Sequence, residues 1–344
     1  MNIEAPPLVD QGVLQVAPGI LRNEKPVGAN VTQVFIRDEH IVAGLGDGRL
    51  VRIDSDGVRT LVRHQGAVTG AAKLSNGSVL SAGQDGKLLL VSEETTSVLL
   101  NSEQTWIDAL AVSEDGTLVA AAVGKDVSVF SGTELIASFT DHPSTVSGLA
   151  FFKDKSQLAV SHYNGVSLWS LADMAKPERL HWAGSVVSVS ISPDQRYIAS
   201  ATQDRELHIW DLRSVRDFRL GGYQRKVKSI GWSPDSLVCY TSGADVVVGW
   251  KMDDNPGSFP PIEIGYAYAH TVSIVPELSD QTRIVAGFSD GSIQVGEMRG
   301  GTAKIARPNS GAEITAIDAP IDSSVVAYGT ACGLIGNIKL SELH

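Results

Sequence analysis

Apolar and polar positions alternate along this chain in short bursts, and the bursts recur. Runs of five or six residues with strand-like alternation, each preceded by a small polar turn, begin at Val31, Val68, Ile107, Val146, Val186, Val227, Val272 and Ile314. Their spacing stays near forty residues, and a fixed period of that size marks a repeat architecture rather than one continuous core. Every unit continues alike. A loop such as 192–196 (SPDQR) leads to an apolar run such as 197–200 (YIAS), then a turn, then a second alternating run such as 207–212 (LHIWDL). Period-two alternation bounded by Gly, Asp, Asn and Ser reads as strands joined by hairpins. The pattern predicts an all-β chain of four-stranded units. Helix has little place in it: only 170–178 (SLADMAKPE) could form a helical turn, which Pro177 would end. The Pro- and Gly-rich stretch 251–263 reads as a loop between third and fourth strands.

The turn between second and third strands has its own recurring residue. Eighteen positions after the onset it holds Asn164, Asp204, Asp245 or Asp290, with Asp85 and Asp47 one and two positions earlier; Lys125 and Cys332 depart from the rule. A carboxylate there can accept N–H groups that a tight hairpin leaves unpaired, so Asp204 is expected to act as a structural clasp. Downstream, the third strand carries Trp169, Trp210 and Trp250, with Val91, Phe130, Val295 and Ile338 in other units. Such a Trp packs on the next sheet while its indole N–H requires a partner. These features resemble the WD40 repeat family, whose repeats end in Trp-Asp as at Trp210 and Asp211. The family's His before the first strand is matched by His64 and His142, and replaced by Trp182, Tyr223 and Tyr268, among others. Its Ser or Thr before the turn Asp is matched by Ser81, Ser200 and Thr241.

That resemblance implies a β-propeller in one domain over residues 1–344. Eight units are counted here, against the family's commonest number of seven. The last unit offers only three strands, so the N-terminal segment 1–30 is expected to supply the fourth, with 12–23 (GVLQVAPGILRN) as the donor. Closure of this kind removes a sheet edge that would otherwise invite aggregation.

Composition narrows the function. Hydrophobic residues make up 43% of the 344 and charged residues 19%, with a formal charge of -11, which opposes the counterion-release attraction that nucleic-acid binders use. Nucleic acid and membrane are therefore not expected as partners, and the acidic balance favours partners with basic segments. No apolar run approaches the ~20 residues of a spanning helix. The opening residues do not read as a secretory signal, and Cys239 and Cys332 form no disulfide framework or metal pair. A cytoplasmic location is the expectation. The glycine loops 44–49 (GLGDGR) and 83–90 (GQDGKLLL) lack the following helix that a phosphate site needs. Eight scattered His residues show no zinc-ligand spacing, and no GxSxG elbow or activated thiol is present. No cofactor, metal or catalytic residue is expected.

What remains is a surface. In a propeller the loops entering first strands share one face with the turns between second and third strands. Trp106, His162, Tyr163, Trp182, Gln203, Arg205, Tyr223, Arg225, Tyr268 and His270 fall there, rich in the Trp, Tyr and Arg that anchor interfaces. Trp182, Tyr223 and Tyr268 also have a structural alternative, filling the His place between blades. The expected function is a non-enzymatic scaffold for protein or peptide partners. The likeness to small stand-alone bacterial WD40 proteins adds a link to zinc handling through a partner GTPase. The rival reading is an enzyme or small-ligand sensor with a metal in the central channel.

Overall fold

Successive strands are joined by connections too short to reach anything but the neighbouring strand, so each repeat closes as its own antiparallel sheet. The computed structural model describes residues 24–342 apart from 38, 104, 141, 254, 276–281, 302 and 321–323. Eight sheets, blades 1 to 8, span 31–63, 68–101, 109–139, 148–185, 190–220, 230–264, 271–307 and 314–339. In blades 1, 2, 3, 5, 6 and 7 four strands lie side by side in chain order. Blade 4 merges its second and third strands into one run, Gln157–Ser170, which bends through Asn164 (φ 70°) and Gly165 (φ 131°). The first half of that run pairs with Gly148–Phe151 and the second with Glu178–Ser185. First strands of blades 8, 1, 2, 3, 4 and 5 lie beside one another in succession, as do those of 6, 7 and 8. They ring one axis, and the propeller has eight blades, not seven.

The apolar residues form eight clusters, one at each seam between neighbouring blades. Each sheet is thus covered on both faces, and second strands such as His40–Leu45 and Tyr197–Ala201 are buried at every position instead of alternating. All eight onset residues are buried. In blades 3 to 6 the ladder begins only a few residues later, at Ala109, Gly148, Ser190 and Ile230, so the onset residue is a wedge in the seam rather than a strand member. Its seat in three seams is a glycine of the preceding blade: a methyl added to Gly44, Gly287 or Gly329 would overlap Val68, Ile314 or Val31.

Blade 8 supplies three strands, and Lys25–Pro26 takes the fourth place by pairing with Ile335 and Leu334. Closure by the N-terminal segment is therefore observed, while the stretch 12–23 lies outside the described residues. Two residues make a short strand. An ion pair between buried Arg307 and half-buried Glu24 stands beside it: Glu24 Oε1 accepts from Arg307 Nε (3.0 Å) and from the Tyr328 hydroxyl (2.8 Å). Arg307 is 1% exposed, and its Nη1 also donates to Ser310 Oγ (2.6 Å) and to the Gly291 carbonyl.

The helical turn expected at 170–178 does not form. Ser170 Oγ accepts the N–H groups of Ala172 (3.3 Å) and Asp173 (3.0 Å), and this local turn outcompetes the helix. Among the described residues the one helical element is the 3-10 turn Leu340–Glu342. The stretch 251–263 is the loop expected, running from the third strand Val247–Lys251 to the fourth, Ile262–Ile264.

Candidate partner-binding face

The face is built first by backbone. In five blades an N–H of the turn between second and third strands donates to a carbonyl of the loop entering that blade. The pairs are Gly46 to Asn30 (2.9 Å), Gln84 to Ala67 (3.0 Å), Gln203 to Ser185 (3.0 Å), Ser289 to His270 (2.9 Å) and Ala331 to Glu313 (2.9 Å). Side chains then reinforce some turns. Asp85 accepts from the N–H groups of Gln65 (3.1 Å) and Lys87 (3.2 Å) and contacts His64 Nδ1 at 2.9 Å. Burial opposes ionisation of Asp85, but these donors outweigh it and hold its pKa below the usual carboxylate value. Asp290 and Asp47 each accept the N–H two residues on.

Asp204 does not act as the clasp expected of it. It is exposed and its carboxylate accepts no hydrogen bond from the described residues; nor does the carboxylate of half-buried Asp245, whose backbone carbonyl alone is taken, by Ala267. The reason is Thr202, which stands where blade 2 has Gly83. Its hydroxyl is closer to the turn and accepts the Glu206 N–H (3.3 Å), the counterpart of the bond that Asp85 takes from Lys87. Blade 8 repeats the substitution, with Thr330 Oγ1 accepting the Leu334 N–H (2.9 Å) and Cys332 in the Asp place. In blade 6 Thr271 Oγ1 accepts the Gly243 N–H (3.0 Å) instead.

Beneath the turns the His position is solved differently in each blade. His64 joins Ser81 Oγ (2.9 Å) and Asp85 in blade 2, where Val91 replaces Trp. In blade 4 the Trp169 indole donates to His142 Nε2 (2.9 Å); that nitrogen must therefore be unprotonated, and Nδ1 donates to the Lys125 carbonyl (2.6 Å). In blade 6 the Tyr223 hydroxyl accepts from the Trp250 indole (2.6 Å) and lies 2.6 Å from Thr241 Oγ1. Blade 5 has Trp182, which cannot accept. Its indole nitrogen and Ser200 Oγ are buried and have no hydrogen-bond partner among the described residues. His208 sits between Trp182 (4.0 Å) and Trp210 (4.4 Å), and this burial pulls its pKa down to about 4 despite the Asp217 carboxylate 3.1 Å away. Below it, the Asp211 of the Trp-Asp pair accepts Arg196 through both oxygens (3.1 and 2.7 Å).

This framework sorts the ten surface candidates. Tyr223 and His162 are buried, the latter between Ser167 Oγ and the Tyr163 carbonyl (both 2.8 Å). Trp182 is half-buried beneath the Arg219 guanidinium (5.3 Å), and His270 is half-buried. These four belong to the scaffold. Trp106 (55%), Tyr163 (52%) and Tyr268 (94%) are exposed, as are Gln203, Arg205 and Arg225. Tyr163 pairs with Ser185, which Gln203 bonds; Arg205 reaches the Gln224 carbonyl (3.4 Å); Arg225 N–H donates to Gly243 (2.9 Å); Ala267 N–H donates to Asp245 (3.0 Å). The exposed groups from Tyr163 to Tyr268 therefore occupy one run of linked loops. Lys226, also exposed there, was missed by sequence reasoning, although the run 223–226 (YQRK) announces it.

Other sites are less developed. A cleft of about 840 Å³ opens between blades 6 and 7 at the opposite end, floored by Val238, Tyr240, Met252, Ile262 and Met298. Among the described residues no three His, Cys, Asp or Glu side chains converge as metal ligands, and no helix is long and apolar enough to cross a membrane.

Comparison with known proteins follows the same lines. Residues 179–211 match the WD domain, G-beta repeat family. WD repeat-containing protein 37 of Xenopus tropicalis is 29% identical over 124 residues, 33% of this chain and 25% of that one. The Protein LST8 homolog of Drosophila melanogaster is 32% identical over 126 residues, 33% of this chain and 40% of its own length. Cell division cycle 20.1, cofactor of APC complex, of Arabidopsis thaliana is 30% identical over 96 residues, 26% and 21% of the two chains. The chain thus spans less than half the length of these relatives. The computationally designed Ika8 protein shares the fold, with a TM-score of 0.73 at 18% identity over 91% of this chain and 97% of that one. Fold, repeat and family match agree: the chain is a WD40-repeat β-propeller.

Proposed function

We propose that the chain is a non-enzymatic platform on which protein or peptide partners dock, using the face that carries Trp106, Tyr163, Arg205, Arg225 and Tyr268. WD40 propellers related to it act as protein-interaction scaffolds, and one similar protein is by its name the cofactor of a complex. The observation that carries the reading is the exposure of Tyr268 (94%), Trp106 and Tyr163 on loops whose neighbours are fixed by hydrogen bonds. Large aromatics cost apolar exposure when free and bring rigid contact area when bound. A pre-ordered ring lowers the entropy cost of docking.

Capture of partners from the native cell tests it. The paired change Trp106→Ala and Tyr268→Ala is expected to release the partners, whereas Val215→Ser is not, although Val215 is 90% exposed at the opposite end of blade 5. Partners retained equally by both variants would refute the assignment of the face. A cytoplasmic site of action fits this role. The finer link, zinc supply through a partner GTPase, is supported only by the likeness to small bacterial propellers, and co-purification of a zinc-binding GTPase is its test.

A further inference from the structure

Charge is unevenly spread along this chain. Residues 176–228 hold ten Lys and Arg against six Asp and Glu, whereas the whole chain holds 28 against 39. Some of these cations are engaged internally: Arg196 with Asp211, Arg219 with Glu206, Lys228 with Glu313. Arg205, Arg225 and Lys226 are not. All three are exposed, and among the described residues none makes an ion pair; Arg205 reaches only the Gln224 carbonyl. That contact sets Arg205 beside the loop that bears Arg225 and Lys226, and the Arg225 N–H bond to Gly243 (2.9 Å) fixes the loop. The cations therefore stand together between Tyr163 and Tyr268. Three acids share these loops, and Glu206 among them is already taken by Arg219. Asp204 lies in the field of Arg219, Asp245 is half-buried, and neither pairs with the three cations.

We propose that this stretch of the face takes an acidic peptide segment of a protein partner, its carboxylates meeting Arg205, Arg225 and Lys226 and its apolar side chains meeting Tyr163 and Tyr268. The proposal rests on the platform reading and deepens it. A guanidinium presents a planar fork that matches a carboxylate, and a backbone fixed by its neighbours holds that fork in place. The overall charge of -11 points toward basic partners, but at physiological salt it is screened beyond about 8 Å, so it acts on encounter while local cations decide docking. A nucleic-acid strand would meet the same negative field with few cations to offset it.

Selection of displayed random dodecapeptides on the full chain, near physiological salt, tests the proposal. Enriched peptides are expected to be net acidic with apolar residues interspersed. They should bind the triple variant Arg205→Glu, Arg225→Glu, Lys226→Glu about tenfold more weakly or worse, with a flatter salt dependence and an unchanged melting temperature. Neutral or basic winners, or acidic winners indifferent to the triple variant, would overturn it. Peptides lost on Tyr163→Ala with Tyr268→Ala but insensitive to charge reversal would leave the platform standing and end this inference. Peptides insensitive to every one of these changes would end both. Displacement of the peptides by a single-stranded oligodeoxynucleotide that binds these loops more tightly would also overturn it.

Discussion

Asp204 and Asp211 stand in one blade, both at positions the repeat marks for a carboxylate, and only one is used. Asp211 is 3% exposed and takes the Arg196 fork as well as the N–H of Arg213 (3.0 Å); the Arg196 bond first of all holds its pKa far below the carboxylate range. Asp211→Ala is expected to cost about 2 kcal/mol in urea unfolding, since it removes a charge-assisted pair and leaves partly buried donors without their acceptor. Asp204→Ala should stay within about 0.5 kcal/mol. Equal losses would contradict the exchange of Asp for Thr202. His208 has a different signature. Its folded-state pKa lies near 4, below the ordinary 6.5, so between these values the unfolded chain binds a proton that the folded chain refuses. Stability therefore falls as pH drops through that window, by about 2 kcal/mol from this group at pH 5. His208→Phe should remove that part of the pH dependence. Buried His162, depressed by its own desolvation, retains its share. Identical slopes in wild type and variant would show that His208 titrates normally.

A blade is held less by its marked residues than by its main chain. The turn-to-loop bond repeats in blades 1, 2, 5, 7 and 8 with five different residue pairs, and a backbone bond leaves no residue signature. Side chains only supplement it, which explains why the Asp position can hold Cys332 without loss of the sheet; in blade 3, where Lys125 holds that place, Asp108 Oδ2 accepts the Gly124 N–H (2.7 Å) instead. The periodic strands, the third-strand Trp positions and the Trp-Asp ending were legible because burial and pairing demand particular side chains. The Thr202 and Thr330 clasps were legible in principle, as Thr at the end of the second strand or directly after it. The seams make a sharper demand. Gly329→Ala would place a methyl against Val31 at the seam of blades 8 and 1, and overpacking of this kind costs about 1–3 kcal/mol. The expected outcome is a lower melting temperature with an unchanged strand signal in circular dichroism below the transition. A neutral effect would mean that the seam can widen.

The ring as a whole depends on joining its two ends. Lys25 and Pro26 complete blade 8, and the last seam gathers Val27, Val31, Ala316, Ala327 and Ile335 into one cluster. Deletion of residues 1–29 removes the strand and exposes the edge of Leu334–Lys339, and aggregation on size-exclusion chromatography is expected. Glu24→Gln tests the latch more finely. It leaves Arg307 buried without its counter-charge, a change that costs about 3–5 kcal/mol. A truncated chain that stays monomeric with unchanged melting, or a silent Glu24→Gln, would show that closure does not depend on the N-terminal segment. The same scale separates scaffold from surface. Tyr223, Trp182 and Tyr268 share one repeat position, yet Tyr223 bonds Trp250, Trp182 stacks on His208 and Tyr268 stands 94% exposed.

The order of residues by itself determined the repeat, its eight units, the strand pattern and the need for a closing strand, because alternation and turn chemistry are local and are written once per blade. Tertiary structure decided which equivalent residues are buried and which face solvent, since that depends on the neighbouring blade's side chains. It also decided the pairing of Glu24 with Arg307 and Tyr328. No local rule connects residues about three hundred positions apart; only the closed ring brings them together.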